Sequence, residues 1–366
     1  MDSRDRDGAY HACMRVRLSD IAARAKVSEA TVSRVLNDKP GVSADNRRAI
    51  LATMERLGYE RPTRMRAKRA GLIGLIVPEL DNPVFPSFAQ RIESALAHHG
   101  YTPVLCSQSQ GVVHEDEYVR MLIDRHVAGI IFVSGIHANS DTDPQRYVAL
   151  REQGLPIVLV NGYVPGVDAP FLSNDDAATI DLSVQHLSEL GHRRIGLAMG
   201  PERYVPVLRK VAAFDLALRR HVDPTLGPAE VRDLVEHSVF SVDGGAEATG
   251  ALIERGVTAV ICGSDVMALG AFREARARGL DLPGELSVVG SDGIPYAEYF
   301  APALTTVRSP IEDMADAAAQ ALLAEIAGHP APRAEYMFRP QLLVRSSTAA
   351  PDGVRHHSAV SHRTAR

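Results

Sequence analysis

The sequence predicts two kinds of structure in one chain. A small all-α helix-turn-helix unit comes first, followed by an α/β body of two lobes, each a parallel sheet with flanking helices. Three observations carry this. Residues 15–37, RVRLSDIAARAKVSEATVSRVLN, hold two short apolar patterns at helical spacing, one soon after the other. From Leu72 onward, short Ile- and Val-rich runs alternate with amphipathic stretches. Charge is also divided. Residues 14–70 carry 14 Lys/Arg against 6 Asp/Glu, a net of +8, whereas the rest carries 26 against 39, a net of −13. A basic module joined to an acidic body points to nucleic acid for the first and a different ligand for the second.

The whole chain sets the bounds. Its 366 residues suit two or three domains, and 45% hydrophobic with 23% charged residues is ordinary for a globular protein. No apolar run approaches the roughly 20 residues that span a bilayer. The start, MDSRDRDGAYHACM, is acidic and lacks the apolar core of a secretory signal, so 1–13 is expected to be a disordered leader, with Met14 a second candidate start. Cys13, Cys106 and Cys262 are odd in number and far apart. They match neither a metal motif nor a disulfide framework, and a reduced, cytoplasmic setting is expected.

In the first helix Leu18, Ile21, Ala22 and Ala25 share a face. In the second, which Ser28 is placed to cap, Ala30, Val32, Val35 and Leu36 follow helical spacing. Helices of about two turns do not stand alone. Their support is ADNRRAILATMERLGY, entered after the Pro40–Gly41 loop through a Ser43 cap. Ile50, Leu51, Met54 and Leu57 are expected on its inner face and Gly58 at its end. The unit spans 14–60. A major groove admits one helix, whose N-terminal side chains reach base edges. In the helix opened by Ser28, residues Glu29, Ala30, Ser33 and Arg34 face outward. Arg34 suits a guanine edge or a phosphate, Thr31 and Ser33 suit phosphates or bases, and Asn37 caps the helix or contacts the DNA backbone.

Residues 61–71, RPTRMRAKRAG, are dense in cations with a single large apolar residue, Met65. They read either as a solvated linker or as a hinge that orders on DNA, its cations on phosphates and Met65 wedged between minor-groove base steps.

The body is taken as 72–348. GLIGLIV, TPVLCS, AGIIFVS and PIVLVN read as buried parallel strands, with SFAQRIESALAHHG, EDEYVRMLIDRHV and QRYVALREQG as helices between them. A second series follows, with strands RIGLAMG, VTAVICG and LSVVGSD. Its helices are TIDLSVQHLSELG, VLRKVAAFDLALRR, GAEATGALIERG and DVMALGAFREARARG. ADAAAQALLAEIAG forms a last long helix, and 349–366 is expected to be a disordered tail. Two doubly wound lobes leave a cleft at the C-terminal strand ends, where a small ligand sits.

Catalytic and cofactor motifs find no support. Gly244, Gly245 and Gly250 in DGGAEATG match neither GxGxxG nor a P-loop. The histidines form no HExxH pattern, and Ser134 and Ser291 lie outside any G-x-S-x-G elbow. Asp265 and Asp292 form a candidate carboxylate pair, but nothing marks an acid–base couple. No enzyme, cofactor or metal is expected.

The residues carry a family resemblance from about 15 to 348. LSDIAARAKVSEATVSRVLND, VS, and LGY at 57–59 resemble the reading head of LacI/GalR (lactose and galactose repressor) regulators, and IGLIVPELDNPVF, LGHRRIGLAMG, SDVMALGAF and LSVVGSDGIP continue the likeness. The resemblance implies a homodimeric transcriptional repressor on a pseudo-palindromic operator. It also implies a hinge helix in the minor groove and a periplasmic-binding-protein-like body that takes a sugar-like effector. Recognition positions then fall on Glu29, Ala30, Ser33 and Arg34, and the intercalating hinge residue on Met65. Effector contacts fall on Val84, Phe85, Asn161, Lys210, Ser264, Asp265 and Asp292. The sequence departs from the usual pattern in several places. Arg17 replaces a capping Thr, Lys26 a turn Gly, Met65 a Leu, Lys210 an Arg (with Arg209 beside it able to compensate) and Ser264 an Asn. The hinge is also three residues shorter. The effector therefore does not transfer from a well-known relative.

Two other classes share this body. A solute-binding protein of a transporter would lack the basic N-terminal unit and carry a signal peptide. An enzyme on a doubly wound fold would carry a cofactor fingerprint.

Overall fold

A computed structural model describes residues 18–36, 41–57, 59, 71–108, 114–330 and 332–351. The chain divides into two compact units, 1–68 and 69–366. Expectations for the leader, Arg17, Asn37, Gly58, Met65 with the rest of 61–70, and the tail from 352 lie outside the described residues.

The first unit holds α1 (Leu18–Ala25), α2 (Glu29–Leu36) and α3 (Ala44–Arg56). Ser28 Oγ accepts from Thr31 N at 3.2 Å and lies 2.8 Å from the Thr31 hydroxyl, so Ser28 caps α2 as its type and position dictate. Ser43 Oγ accepts from Asn46 N at 3.3 Å and caps α3. Between α1 and α2 the backbone turns through Lys26 at φ +53°, a left-handed conformation that favours glycine. Ile21, Val32 and Ile50 are wholly buried where the three helices meet, with Ala22, Val35 and Leu36 around them. One expectation fails. Leu51 is 50% exposed, and Thr53 is buried instead, its hydroxyl donating to Ala49 O at 2.7 Å. At 3.6 residues per turn Ile50, Thr53, Met54 and Leu57 share a stripe, and Leu51 lies about 100° around from it.

The second unit contains two six-stranded sheets. The first lobe comprises β1 (Gly71–Val77), β2 (Tyr101–Ser107), β3 (Ile130–Val133), β4 (Ile157–Val160), β5 (Phe171–Asn174) and β11 (Glu335–Phe338), in the order β11-β5-β4-β3-β1-β2. Helices α4 (Val84–His98) and α12 (Ile311–Ile326) cover one face, and α5 (Glu115–Asp124) and α6 (Gln145–Glu152) the other. The second lobe comprises β6 (Ile195–Met199), β7 (Val235–His237), β8 (Ala259–Cys262), β9 (Ser287–Asp292), β10 (Thr305–Arg308) and β12 (Gln341–Leu343), in the order β12-β10-β9-β8-β6-β7. Around it pack the pairs α7 (Asp176–Glu189) with α8 (Val205–His221), and α10 (Val242–Glu254) with α11 (Asp265–Ala277); the short α9 (Pro228–Asp233) lies against β7. Among the described pairings β12 alone runs antiparallel, on β10.

The seven strands expected from apolar runs are where those runs place them. Strands β5, β7, β10, β11 and β12 are additional. Each is three or four residues long, and FLSN, VEH, TTVR, EYMF and QLL lack a continuous aliphatic run. They matter to topology because the chain changes lobes at β5→α7, β10→α12 and β11→β12 among the described residues. The last long helix, α12, thereby returns to the first lobe. The expected tail starts later than 349, since Ala349 N donates to Ser287 Oγ at 3.0 Å and Ala349 O lies 2.9 Å from His192 Nε2.

Candidate functional site

On α2 the amphipathic pattern separates two faces. Val32, Val35 and Leu36 are buried against α1 and α3, while Glu29, Ala30 and Arg34 are exposed, and Thr31 and Ser33 are half-buried between them. The polar side chains expected to face a groove thus lie along the exposed side of α2, from Glu29 in its first turn to Arg34 in its last. The first-turn N–H groups add a partial positive charge at the Glu29 end.

In the body, charged side chains gather where strands end. Lys210 on α8 places Nζ 3.7 Å from Oδ1 of Asp176, in the first turn of α7. Asp292, at the end of β9, also feels the Lys210 charge, and the Asn82 side chain of the first lobe likewise favours its charged form. Burial pushes the Asp176 carboxyl up to about 6, against the opposing pull of Lys210 and Arg209. Asp292 and Asp265 are both raised as well, burial being the main cause. Asp292 has φ +112° and Gly293 φ +73°, so the chain turns sharply as it leaves the sheet. Asn174 Oδ1 and Asp292 Oδ2 are buried without a hydrogen-bond partner among the described residues. Buried polar atoms of this kind are costly unless something else satisfies them.

Asp265 shapes this turn. It is wholly buried; Oδ1 accepts from the Thr306 hydroxyl at 2.6 Å and Oδ2 from Ile294 N at 2.8 Å. Ser264 is buried too, its Oγ accepting from Met267 N at 3.1 Å to cap α11. The Arg209 fork is engaged by Glu335 at 2.6 and 2.9 Å, so both arms expected to assist Lys210 are bound within the protein. These three predicted residues form the frame around the charge cluster. In the first lobe Val84 and Phe85 open α4, and Asn82 Oδ1 accepts from Val84 N at 3.1 Å. Asn161, at φ +63°, follows β4 and donates through Nδ2 to Ser134 Oγ at 3.1 Å.

Three residues escaped sequence reasoning: Asn82, Asp176 and Phe240. Asp176 belongs to SNDD, a polar run that closes a strand without a continuous aliphatic run. Phe240 lies across two neighbouring strand ends. A Cβ at Gly200, after β6, would meet its ring at 2.1 Å, and one at Gly263, after β8, at 3.2 Å. The legible signal was the pair AMG and ICG, two strands each followed by a glycine. Phe240 and Tyr204 then stand with ring centroids 6.4 Å apart.

The comparisons with known proteins agree with this layout. Residues 17–62 match the model of bacterial regulatory proteins of the lacI family, and residues 184–348 match a periplasmic binding protein-like domain. The HTH-type transcriptional regulator reg1 of Streptomyces lividans is 54% identical over 93% of this chain and 99% of its own length. The chain belongs to the LacI family. MalR of Streptomyces coelicolor, also an HTH-type transcriptional regulator, is likewise 54% identical over the same shares. Among solved structures, the transcriptional regulator CelR in complex with cellobiose has a TM-score of 0.68 at 30% identity, over 91% of this chain and all of that one. The lac repressor dimer bound to operator and the anti-inducer ONPF has a TM-score of 0.64 at 26% identity, over 92% of this chain and 99% of that one. As a LacI-family member the chain is a DNA-binding transcriptional regulator, and its relatives are regulators, not enzymes. No helix among the described residues is long and apolar enough to cross a membrane.

Proposed function

We propose that this regulator is a cytoplasmic repressor that binds a pseudo-palindromic operator as a homodimer and responds to a sugar held between its lobes. The observation that carries the sugar reading is the cluster of Lys210, Asp176, Asp292 and Asn82 near the lobe boundary. Carboxylates, an amide and one cation together pair with a set of hydroxyls better than with an apolar or purely anionic ligand. Phe85, Val84 and Phe240 supply apolar surface for the ring faces, Asn161 a further amide, and Ser264, Asp265 and Arg209 hold the frame. CelR, the similar structure, holds cellobiose, and a LacI-family regulator from Enterococcus faecium at 27% identity holds ribose.

On DNA, Ser28, Glu29, Ala30, Thr31, Ser33 and Arg34 form the reading surface. Asn37 and Met65 are assigned to backbone contact and to the minor groove by sequence position. The lac repressor dimer on its operator supports the dimeric arrangement. Sugar and operator are linked through one free energy, so each changes the other's affinity by the same factor. A thermal-shift screen of mono- and disaccharides on the full chain tests the proposal. At a hundredfold excess over its Kd a true effector stabilises by about 2.7 kcal/mol. A sugar that stabilises the protein and changes operator retention in a gel is the expected result. Operator binding indifferent to every stabilising sugar overturns the proposal.

A further inference from the structure

Residues 203–210, which lead from β6 into the first turns of α8, touch the first lobe at two places. At its start, Asn139 and Tyr204 form an antiparallel bridge. The Ser140 amide and hydroxyl both donate to Arg203 O at 2.8 Å. Asn139 and Ser140 belong to the first lobe, whereas Arg203 and Tyr204 belong to the second. Near the segment's end, Arg209 forms its two-pronged ion pair with Glu335 on β11 of the first lobe, both side chains half-buried. The contacts stand apart. Strand β6 lies toward one edge of its sheet, while β11 forms the edge of the first-lobe sheet beside the crossing strand β5. Lys210, the cation of the charge cluster, directly follows Arg209.

We infer that residues 203–210 form a two-point clasp, in which Arg209–Glu335 and Ser140–Arg203 act as positioning contacts that set how far the lobes close. The chain crosses between lobes by short connections, so closure is a rotation about those crossings. A rotation that separates Glu335 from Arg209 also withdraws Ser140 from Arg203. Ser140 is exposed, so its lost bonds pass to water at little cost, whereas the half-buried Arg–carboxylate fork is the stronger point. The sugar reading places a ligand on Lys210 of this same segment. On that reading, ligand and clasp favour one arrangement, and the clasp sets the equilibrium the sugar works against.

Hydrogen exchange at the Ser140 amide of the full chain tests this. In the ligand-free protein this amide is protected. Glu335→Gln raises its exchange about tenfold or more, the scale of a charge-assisted hydrogen bond, although residues 335 and 140 lie at separate contacts. The charge-swapped double variant Arg209→Glu/Glu335→Arg restores protection. A stabilising sugar slows Ser140 exchange further in the parent. Equal Ser140 exchange in parent and Glu335→Gln overturns the clasp. A bound sugar that leaves Ser140 exchange unchanged overturns the coupling but not the sugar reading. A protein that binds no sugar overturns the sugar reading, and the ligand-free comparison still decides the clasp.

Discussion

Phe240 lies over Gly200 so closely that a Cβ there would stand 2.1 Å from its ring. The glycine directly follows β6, and its missing side chain lets an aromatic ring from the loop after β7 lie across the strand ends. Gly200→Ala therefore displaces Phe240, and sugar affinity is expected to fall about tenfold, the scale of an overpacked contact. Operator affinity without sugar stays unchanged. Calorimetric titration beside a gel-retention assay checks both halves, and undiminished sugar affinity in Gly200→Ala and in Phe240→Ala removes Phe240 from the site.

Lys210 lies 3.7 Å from Asp176, and its charge also acts on Asp292. Lys210→Met keeps the length of the side chain and removes its charge. Sugar affinity is expected to drop about 10- to 100-fold, as for loss of a charge-assisted hydrogen bond. Unchanged titration curves place the effector elsewhere.

The buried Asp176 carboxyl titrates near 6 in the folded protein, above its ordinary value near 4. Between those values the folded state keeps a proton that the unfolded chain has released. Its contribution is fully present below about pH 4 and is lost as pH rises through 6. Relative to Asp176→Asn, the parent should lose on the order of 2 kcal/mol across that window. Denaturant unfolding of both proteins at pH 4, 5.5 and 7 reads the difference, and a pH-independent gap contradicts it.

Lys26 adopts φ +53° in the turn before α2. Lys26→Gly relieves that strain and is expected to stabilise the DNA-binding unit by up to about 1 kcal/mol. The gain should appear as slower amide exchange in α1 and α2. Faster exchange there means that Lys26 makes a compensating contact.

Arg34 is exposed on the reading face of α2. If it reads a guanine edge, Arg34→Ala relaxes preference at one operator position by about 1–3 kcal/mol. A binding assay over single-base operator variants distinguishes this from a uniform loss, which assigns Arg34 to a phosphate. Operator affinity should also fall steeply with salt, since the basic module displaces counterions.

Legibility in the sequence follows the range of the physics. The caps at Ser28 and Ser43, the buried stripe of Ile21, Val32 and Ile50, and the strands with continuous aliphatic runs arise from local periodicity and backbone chemistry. They could be read within a window of a few residues. The short strands β5, β10, β11 and β12 could not, because pairing with distant neighbours makes them strands, not their own composition.

The same division separates the site residues. The sequence by itself determined which face of α2 is presented and that two doubly wound lobes follow, and its family resemblance pointed to Lys210 and Asp292. Only the tertiary structure decided that Arg209 is bound by Glu335, that both oxygens of Asp265 are occupied, that Asp176 lies beside Lys210, and that Phe240 covers two strand ends. An isolated carboxylate or guanidinium looks the same in sequence whether it waits for a ligand or already has a partner. The partner comes from elsewhere in the chain, 126 residues away for Arg209 and Glu335. Nothing short of the folded crossings between lobes brings the two together.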